Sequence, residues 1–362
     1  MKILFVLEHY HPYIGGAEKL FQLLAEALAE KGHQVQVLTT RFDTSLAKVE
    51  QIAGVEVHRI DCYNRFLFTF LSLPSVIRLA RQCDIVHTTT YNAAVPAWLG
   101  ARIARRPVMV NFHEVWGDLW KRLPFIGWFQ KQVYYYYEQM VLRLPFDHFI
   151  AVSQATRQSL IQHGIPAAKI IQIYNGLHYE QFAPYRHQPP ATFQYIYYGR
   201  LGISKGLNLL LPAAKRFSQQ HPNSQLTLVL PTEPKAMLAN IKQLIQYLGL
   251  EEHTVLHHNL TREELFQKVS QSSCVVIPSY SEGFCFVAAE AVAMGVPVIS
   301  SGKTALKEVV GGKYLELAQL DEVHLADALL KAYRGQWNYR TAPRFEMAAV
   351  LKAYLDLYEN LD

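Results

Sequence analysis

The chain has 362 residues, half of them apolar and 18% charged, with a formal net charge of +5. That length suits two domains, and the composition excludes a disordered or fibrous chain. Cys62, Cys83, Cys274 and Cys285 show no C-x-x-C spacing, which argues against a zinc ribbon or a disulfide framework and suits a reducing cytosol.

The first apolar run, "KILFVLEHY", reads as a buried parallel strand and is too short for a signal-peptide core. The turn-rich "HPYIGG" follows. "AEKLFQLLAEALAEKG" then carries Leu20, Leu23, Leu24, Ala27 and Leu28 at helical spacing and stops at Gly32. "HQVQVLTT" is the next strand. "CDIVHTTT" and "PVMVNFHE" read as strands with helical "NAAVPAWLGARIA" between them. "HFIAVS", "QATRQSLIQHG" and "KIIQIYNG" repeat strand, helix, strand. No apolar run reaches the roughly 18 residues of a membrane span; "FLFTFLSLPSVI" is broken by Ser72 and Pro74.

A polar, proline-bearing connection at residues 183–192 interrupts this rhythm. The alternation resumes with "FQYIYYGR" and runs through "SQLTLVL", "HTVLHH", "SCVVIPS" and "PVIS", each strand followed by a helical stretch. The expected architecture is α/β: two facing, doubly wound parallel-sheet domains of Rossmann-like type with a cleft between them. The expected domains are 1–185 and 186–345, with a C-terminal helix, 346–362, that crosses back to the first. In such sheets ligands bind beyond the carboxyl ends of the strands.

Two segments carry candidate chemistry. In "SYSEGFCFVAAEAVAMGVPVIS", Glu282 falls in a turn after a strand. A helix is expected over 284–294, capped by Gly295, with Glu290 two turns in. A helix apolar nearly all round is buried, so Glu290 needs a partner. An arginine, backbone amides or a ligand diol would each serve. The helix N-terminus offers the amides of Gly283, Phe284 and Cys285 to phosphate oxygens. In "YYGRLGISKG", Arg200 and Lys205 stand five apart across a glycine-bearing loop at a strand's end, which suits a diphosphate as well as two solvated cations.

"GRLGISKG", followed about eighty residues later by "PSYSEGFCFVAAEAVAMGVPVI", resembles the family 4 (group 1) retaining glycosyltransferases of GT-B fold. Glu282 and Glu290 meet the family's E-x7-E spacing. "GGAE", "NFHE", "IAVSQATRQSL" and "YNGL" follow in the family's order, so the resemblance covers nearly the whole chain. It implies a nucleotide-diphosphate sugar as donor, with Arg200 and Lys205 on the diphosphate and Glu290 on the ribose hydroxyls. It places Glu282 and the amides of Gly283, Phe284 and Cys285 at the sugar and diphosphate. Gly15 and Gly16 become a close backbone approach to the donor, and His113 lies near the transferring sugar. No D-x-D pair occurs, so no metal or other cofactor is expected. The chain departs from the family pattern at Pro231–Pro234, where G-x-G is usual, and at His178, where an acid is usual. A non-catalytic GT-B binding protein and a nucleotide-sugar epimerase are the alternatives.

The acceptor is expected to be a glycan or a lipid-linked saccharide. Residues 59–147 carry eleven basic and six acidic side chains, the whole of the chain's excess, and such a surface expects an anionic partner. Trp116, Trp120, Phe125 and Trp128 interleave with Lys121, Arg122 and Lys131, shortly after Arg105 and Arg106. Basic and aromatic side chains together suit an anionic membrane surface or a polysaccharide; packing of the aromatics into the core is the other reading. The segment assigned to this surface is Arg105, Arg106, Trp120, Lys121, Arg122 and Trp128. No nucleic-acid motif accompanies it. The expected location is the cytoplasm, with contact at the inner face of the membrane.

Overall fold

The computed structural model describes residues 1–13, 15–62, 66–123 and 126–360; Phe125 lies outside them. Two compact units emerge. The first comprises Met1–Gly117, Val133–Gly176 and Met347–Asp362, and the second Asp118–Gln132 and Leu177–Glu346.

The chain begins with β1 (Lys2–Val6), α1 (Gly16–Glu30), β2 (Gln34–Thr40), β3 (Val49–Ile52) and β4 (Val55–Ile60). Next come α2 (Phe68–Leu71), α3 (Leu73–Ala80), β5 (Ile85–Thr89), α4 (Ala94–Ala104) and β6 (Val108–Phe112). Then follow α5 (Leu119–Arg122), α6 (Trp128–Leu142), β7 (His148–Ala151), α7 (Gln154–Gln162) and β8 (Ile170–Gln172). The first unit's strands form one sheet in the order β3-β4-β2-β1-β5-β6-β7-β8, parallel except for the β3–β4 hairpin at the edge. β1 is apolar throughout after Lys2 because both its faces are covered. On one face α1 buries Leu20, Phe21, Leu24, Ala25 and Leu28.

The second unit's strands are β9 (Gln194–Tyr198), β10 (Gln225–Val229), β11 (Thr254–His257), β12 (Cys274–Ile277), β13 (Val298–Ser300), β14 (Gly312–Glu316) and β15 (Asn338–Arg340). Its helices are α8 (Leu207–Gln220), α9 (Lys235–Tyr247), α10 (Arg262–Ser270), α11 (Phe286–Ala293), α12 (Leu306–Val309) and α13 (Glu322–Tyr333). The sheet order is β11-β10-β9-β12-β13-β14-β15, with only β15 antiparallel. Leu207, Leu210, Leu211, Phe217, Leu325 and Leu329 from α8 and α13 cover one face.

The last helix, α14 (Met347–Glu359), packs in the first unit, with Val350, Tyr354 and Tyr358 against Phe5, Phe21 and Ile85. Two buried hydroxyls fix it there. Asn111 Nδ2 donates to Tyr354 Oη at 2.6 Å, and His87 bonds Tyr358 Oη through Nδ1 and Asn111 Oδ1 through Nε2 at 2.7 Å. Burial pulls the His87 imidazole down to about 4, so it is neutral at physiological pH.

Candidate active site

In each unit the order of strands reverses direction at one point, between β1 and β5 in the first and between β9 and β12 in the second. The loops leaving the carboxyl ends of such neighbours splay apart and leave a crevice. In the second unit those two loops carry Arg200 and Lys205 after β9, and Glu282 to Cys285 after β12.

The loops are tied together. Tyr280 N donates to Ser204 O at 2.7 Å, and Asn208 Nδ2 to Tyr280 Oη at 2.8 Å. Gly206 is left-handed (φ +74°), and a Cβ there would overlap the Pro278 carbonyl. Only glycine permits this approach at low cost. Lys205 Nζ lies 2.7 Å from Glu282 Oε1, which also accepts from Ser279 Oγ at 2.7 Å. Thr304 clamps the Glu282 backbone: its hydroxyl accepts from Glu282 N and donates to Glu282 O, each at 2.8 Å. The Lys205–Glu282 pair is largely buried, so it is a fixed feature rather than a solvated contact. Arg200 is exposed, and its side chain bonds no described residue. One cation is thus held and one is free to move onto a ligand.

Helix α11 begins at Phe286, two residues later than the sequence suggests. Cys285 is its N-cap and stands at φ +74°, which breaks the apparent run of helix formers. Gly283, Phe284 and Cys285 therefore form the turn ahead of the helix, and its first-turn amides belong to Phe286, Val287 and Ala288. Phe284 anchors that turn, with its ring 5.2 Å from Phe286 and 5.0 Å from Phe345. Burial holds the Cys285 thiol protonated, well above the usual thiol range.

Glu290 has an arginine partner after all. Arg262 Nη2 is 3.2 Å from Oε1, and Tyr198 Oη donates to Oε2 at 3.3 Å. Burial still dominates, and the carboxyl is pushed up to about 7 with Arg262 and Tyr198 opposing. Arg262 in turn lies over the Phe266 ring, 5.1 Å from its centre. Neither Arg262 nor Tyr198 was singled out from the sequence. The only signal near Arg262 is the capping box Thr261–Glu264 that opens α10, which fixes the helix start but not the partner.

In the first unit, Gly15 is the N-cap of α1, and the Glu18 carboxylate lies where a Gly15 Cβ would stand. Gly16 opens the helix and is exposed. His113 follows β6, and Thr156 Oγ1 donates to its carbonyl at 3.1 Å. The next residues are held by the buried Glu138, which accepts from Trp116 N at 2.9 Å and Gly117 N at 2.6 Å. At the switch point itself a carboxylate that sequence reading passed over, Glu8, accepts from Asn92 Nδ2 at 2.8 Å.

Of the six residues assigned to an acceptor or membrane surface, one is buried. Trp120 is only 7% exposed, since an indole gains most by burial. Arg105 and Arg106 end α4 and lead into β6, at the amino edge of the sheet. Arg105 is its left-handed C-cap, and Arg106 bonds the Arg81 carbonyl. Lys121 pairs with Asp118 at 2.6 Å, while Arg122 and Trp128 are exposed. Among the described residues, no three His, Cys, Asp or Glu side chains are placed to hold a metal ion. No described helix is long and apolar enough to cross a membrane.

Comparison with known proteins decides the family. The model for Glycosyltransferase Family 4 matches residues 14–181, and that for glycosyl transferases group 1 matches residues 185–344. The chain belongs to the family 4, group 1 glycosyltransferases of GT-B fold. It is 23% identical to a GDP-mannose:cellobiosyl-diphosphopolyprenol alpha-mannosyltransferase of Xanthomonas campestris, across 99% of this chain and 96% of that one. It is 26% identical to a glycogen synthase of Mycobacterium tuberculosis, across 91% and 85%. Sucrose-phosphate synthase from Thermosynechococcus elongatus shares the fold at a TM-score of 0.80, with 21% identity over 99% of this chain and 98% of the other. Anabaena HepE, solved with UDP and glucose, shares it at 0.73, with 22% identity over the full length of both. Among these relatives of the glycosyltransferase, one is named for a GDP-mannose donor and a diphosphopolyprenol-linked saccharide, and another was solved with UDP and glucose.

Proposed function

We propose that this glycosyltransferase moves a hexosyl unit, with retention and without a metal ion, from a nucleoside-diphosphate sugar to an acceptor hydroxyl. The observation that carries the reading is the meeting of Arg200, Lys205, Glu282 and Glu290 on the loops and helix that follow the adjacent strands β9 and β12. Lys205, fixed by Glu282, and Arg200, free to swing, offset the charge that develops on the departing diphosphate. The first-turn amides of α11 and the turn 283–285 add donors to its oxygens. Ribose hydroxyls donate to the Glu290 carboxylate in place of its present partners. In the first unit the family pattern assigns Gly15 and Gly16 to the diphosphate and His113 to the transferring sugar.

The reaction breaks the bond from the anomeric carbon to the diphosphate oxygen, and the electron pair leaves with that oxygen. The acceptor oxygen forms the new bond on the same face, and its proton passes to the departing diphosphate. Glu282 orients Lys205 and forms no sugar ester. Two cations supply the positive charge that a metal would otherwise bring. The acceptor we favour is a lipid-linked or cell-surface glycan made at the cytoplasmic face of a membrane, as in polysaccharide assembly. The relative that acts on a diphosphopolyprenol-linked saccharide supports it.

The test is to incubate the enzyme in EDTA with UDP-, GDP- and ADP-hexoses and polyprenol-linked saccharides, and to read the product by NMR. An axial donor should give an axial product. An inverted product, or free sugar without any glycoside, would refute the proposal.

A further inference from the structure

We propose that Arg262 is a positioning residue of the donor site, a built-in counter-charge that keeps the Glu290 carboxylate set for the ribose hydroxyls. The inference rests on the reading of Glu290 as the ribose contact. The carboxylate lies between two groups supplied by other elements of the second unit. On its inner side is the buried Tyr198 at the end of β9, whose hydroxyl donates to Oε2 at 3.3 Å. On its outer side is the Arg262 guanidinium from the start of α10, 3.2 Å from Oε1 and 54% exposed. The other titratable group acting on it is the Cys285 thiol at the cap of its own helix, which burial keeps protonated and uncharged. Among the described residues, Arg262 is thus the one positive charge within ion-pair distance of Glu290.

The guanidinium is held there by its own helix. The capping box fixes where α10 starts: Thr261 Oγ1 accepts from Glu264 N at 3.2 Å, and Glu264 Oε2 accepts from Thr261 N at 2.8 Å. One turn further on, the Phe266 ring lies under the guanidinium, 5.1 Å from it. Phe266 is itself buried, with its ring 5.1 Å from Phe182 and 5.5 Å from Tyr185. An arginine with this floor loses less freedom on pairing than a solvated surface cation does.

The need for such a cation follows from burial. A carboxyl sunk as deeply as Glu290 takes up a proton near neutral pH, and the acid form receives hydroxyl donors less well than the carboxylate. A guanidinium 3.2 Å away opposes that uptake. When ribose hydroxyls replace its contact, the guanidinium stays on Phe266 beside the carboxylate, so the negative charge survives the exchange. A tie that merely joined α10 to α11 would influence binding equally at every pH.

The experiment is calorimetric titration of UDP, GDP and ADP from pH 6 to 9.5 into wild type, Arg262→Gln, Arg262→Lys and Glu290→Gln. The nucleotide's own phosphate titrates alike in all four, so affinities are read as ratios. Arg262→Gln should bind about fivefold or more weakly than wild type at pH 7, the result of moving the carboxyl's midpoint up by about 1 in pH or more. The deficit should shrink as pH rises towards 9.5, and Arg262→Lys should restore the wild-type profile. In a Glu290→Gln background, Arg262→Gln should change nothing with pH. Melting without nucleotide gives a second readout: Arg262→Gln should match wild type at pH 4.5 and fall below it at pH 8, because its folded state releases the Glu290 proton later. A deficit equal at every pH, or none, would overturn the role of Arg262 while leaving the ribose contact in place. Glu290→Gln binding as tightly as wild type at pH 8 would remove the ribose contact itself, and the role of Arg262 with it.

Discussion

Replacing Glu290 with glutamine separates what this carboxylate costs the fold from what it gives the ligand. Burial raises it from 4.5 to about 7, even with Arg262 and Tyr198 beside it. At about 1.4 kcal/mol per pH unit, that rise corresponds to about 3 kcal/mol. The sign follows from proton release. The unfolded chain loses this proton near pH 4.5 and the folded chain near pH 7, so the folded state falls behind as pH rises through that window. Below pH 4.5 both forms are protonated and the carboxyl is equivalent to a neutral amide. Glutamine keeps the shape and the polar contacts but has no proton to lose. Calorimetric melting at pH 4.5 should find variant and wild type together. At pH 8 the ligand-free variant should melt higher by as much as roughly 6–12 °C, taking about 2–4 °C per kcal/mol for a unit of this size. Titration with the donor at pH 8 should show the opposite ranking, with the variant about 5–30-fold weaker for loss of the charge-assisted ribose contact. A variant no more stable than wild type at pH 8, or one that binds donor equally well, would refute this account of Glu290.

Other perturbations follow from the same geometry. Lys205→Ala should lower kcat more than Arg200→Lys does, because it removes the charge held on Glu282, whereas Arg200→Lys keeps a charge and loses only the fork; equal kcat values would count against the pairing. Gly206→Ala must push a Cβ into the Pro278 carbonyl from a left-handed backbone, so it should cost more than about 1 kcal/mol and loosen donor binding; an unchanged urea midpoint would contradict the close approach. Tyr358→Phe leaves a buried His87 nitrogen without its donor and should destabilise the first unit by about 1–3 kcal/mol in urea unfolding. His87, held down to about 4, should also make that unit less stable as pH falls from about 6.5 towards 4, because the unfolded imidazole takes up the proton first. A flat stability profile across that window would exclude it.

Much of this architecture was legible because buried parallel strands and amphipathic helices carry different periods. β1, β9 and β12 are short apolar runs with polar exits, and α1 shows its stripe directly. The β3–β4 hairpin went unread although its turn has a sequence signal: Ala53 and Gly54 both take positive φ, and glycine is the residue that permits this. The start of α11 left no such trace, since nothing in Phe-Cys-Phe announces a left-handed cysteine. Arg200, Lys205, Glu282 and Glu290 stood out because charges in apolar or glycine-bearing runs are conspicuous. Arg262 did not, because its meeting with Glu290 joins the starts of one helix and the middle of another, 28 residues apart. In the basic and aromatic segment, residue type alone could not tell surface from core. Its residues are neighbours in sequence, but chain direction sends Arg105 and Arg106 to the amino edge and burial removes Trp120.

The central claim is that the second unit holds a nucleoside diphosphate with its own cations at the β9–β12 switch point. Calorimetric titration of UDP, GDP and ADP in EDTA, into wild type and into Lys205→Ala, tests it most directly. One of the three should bind the wild-type protein without metal and bind the variant at least about tenfold more weakly, the loss of one charge-assisted contact. Binding of none of them until magnesium is added, or equal binding by the variant, would contradict it.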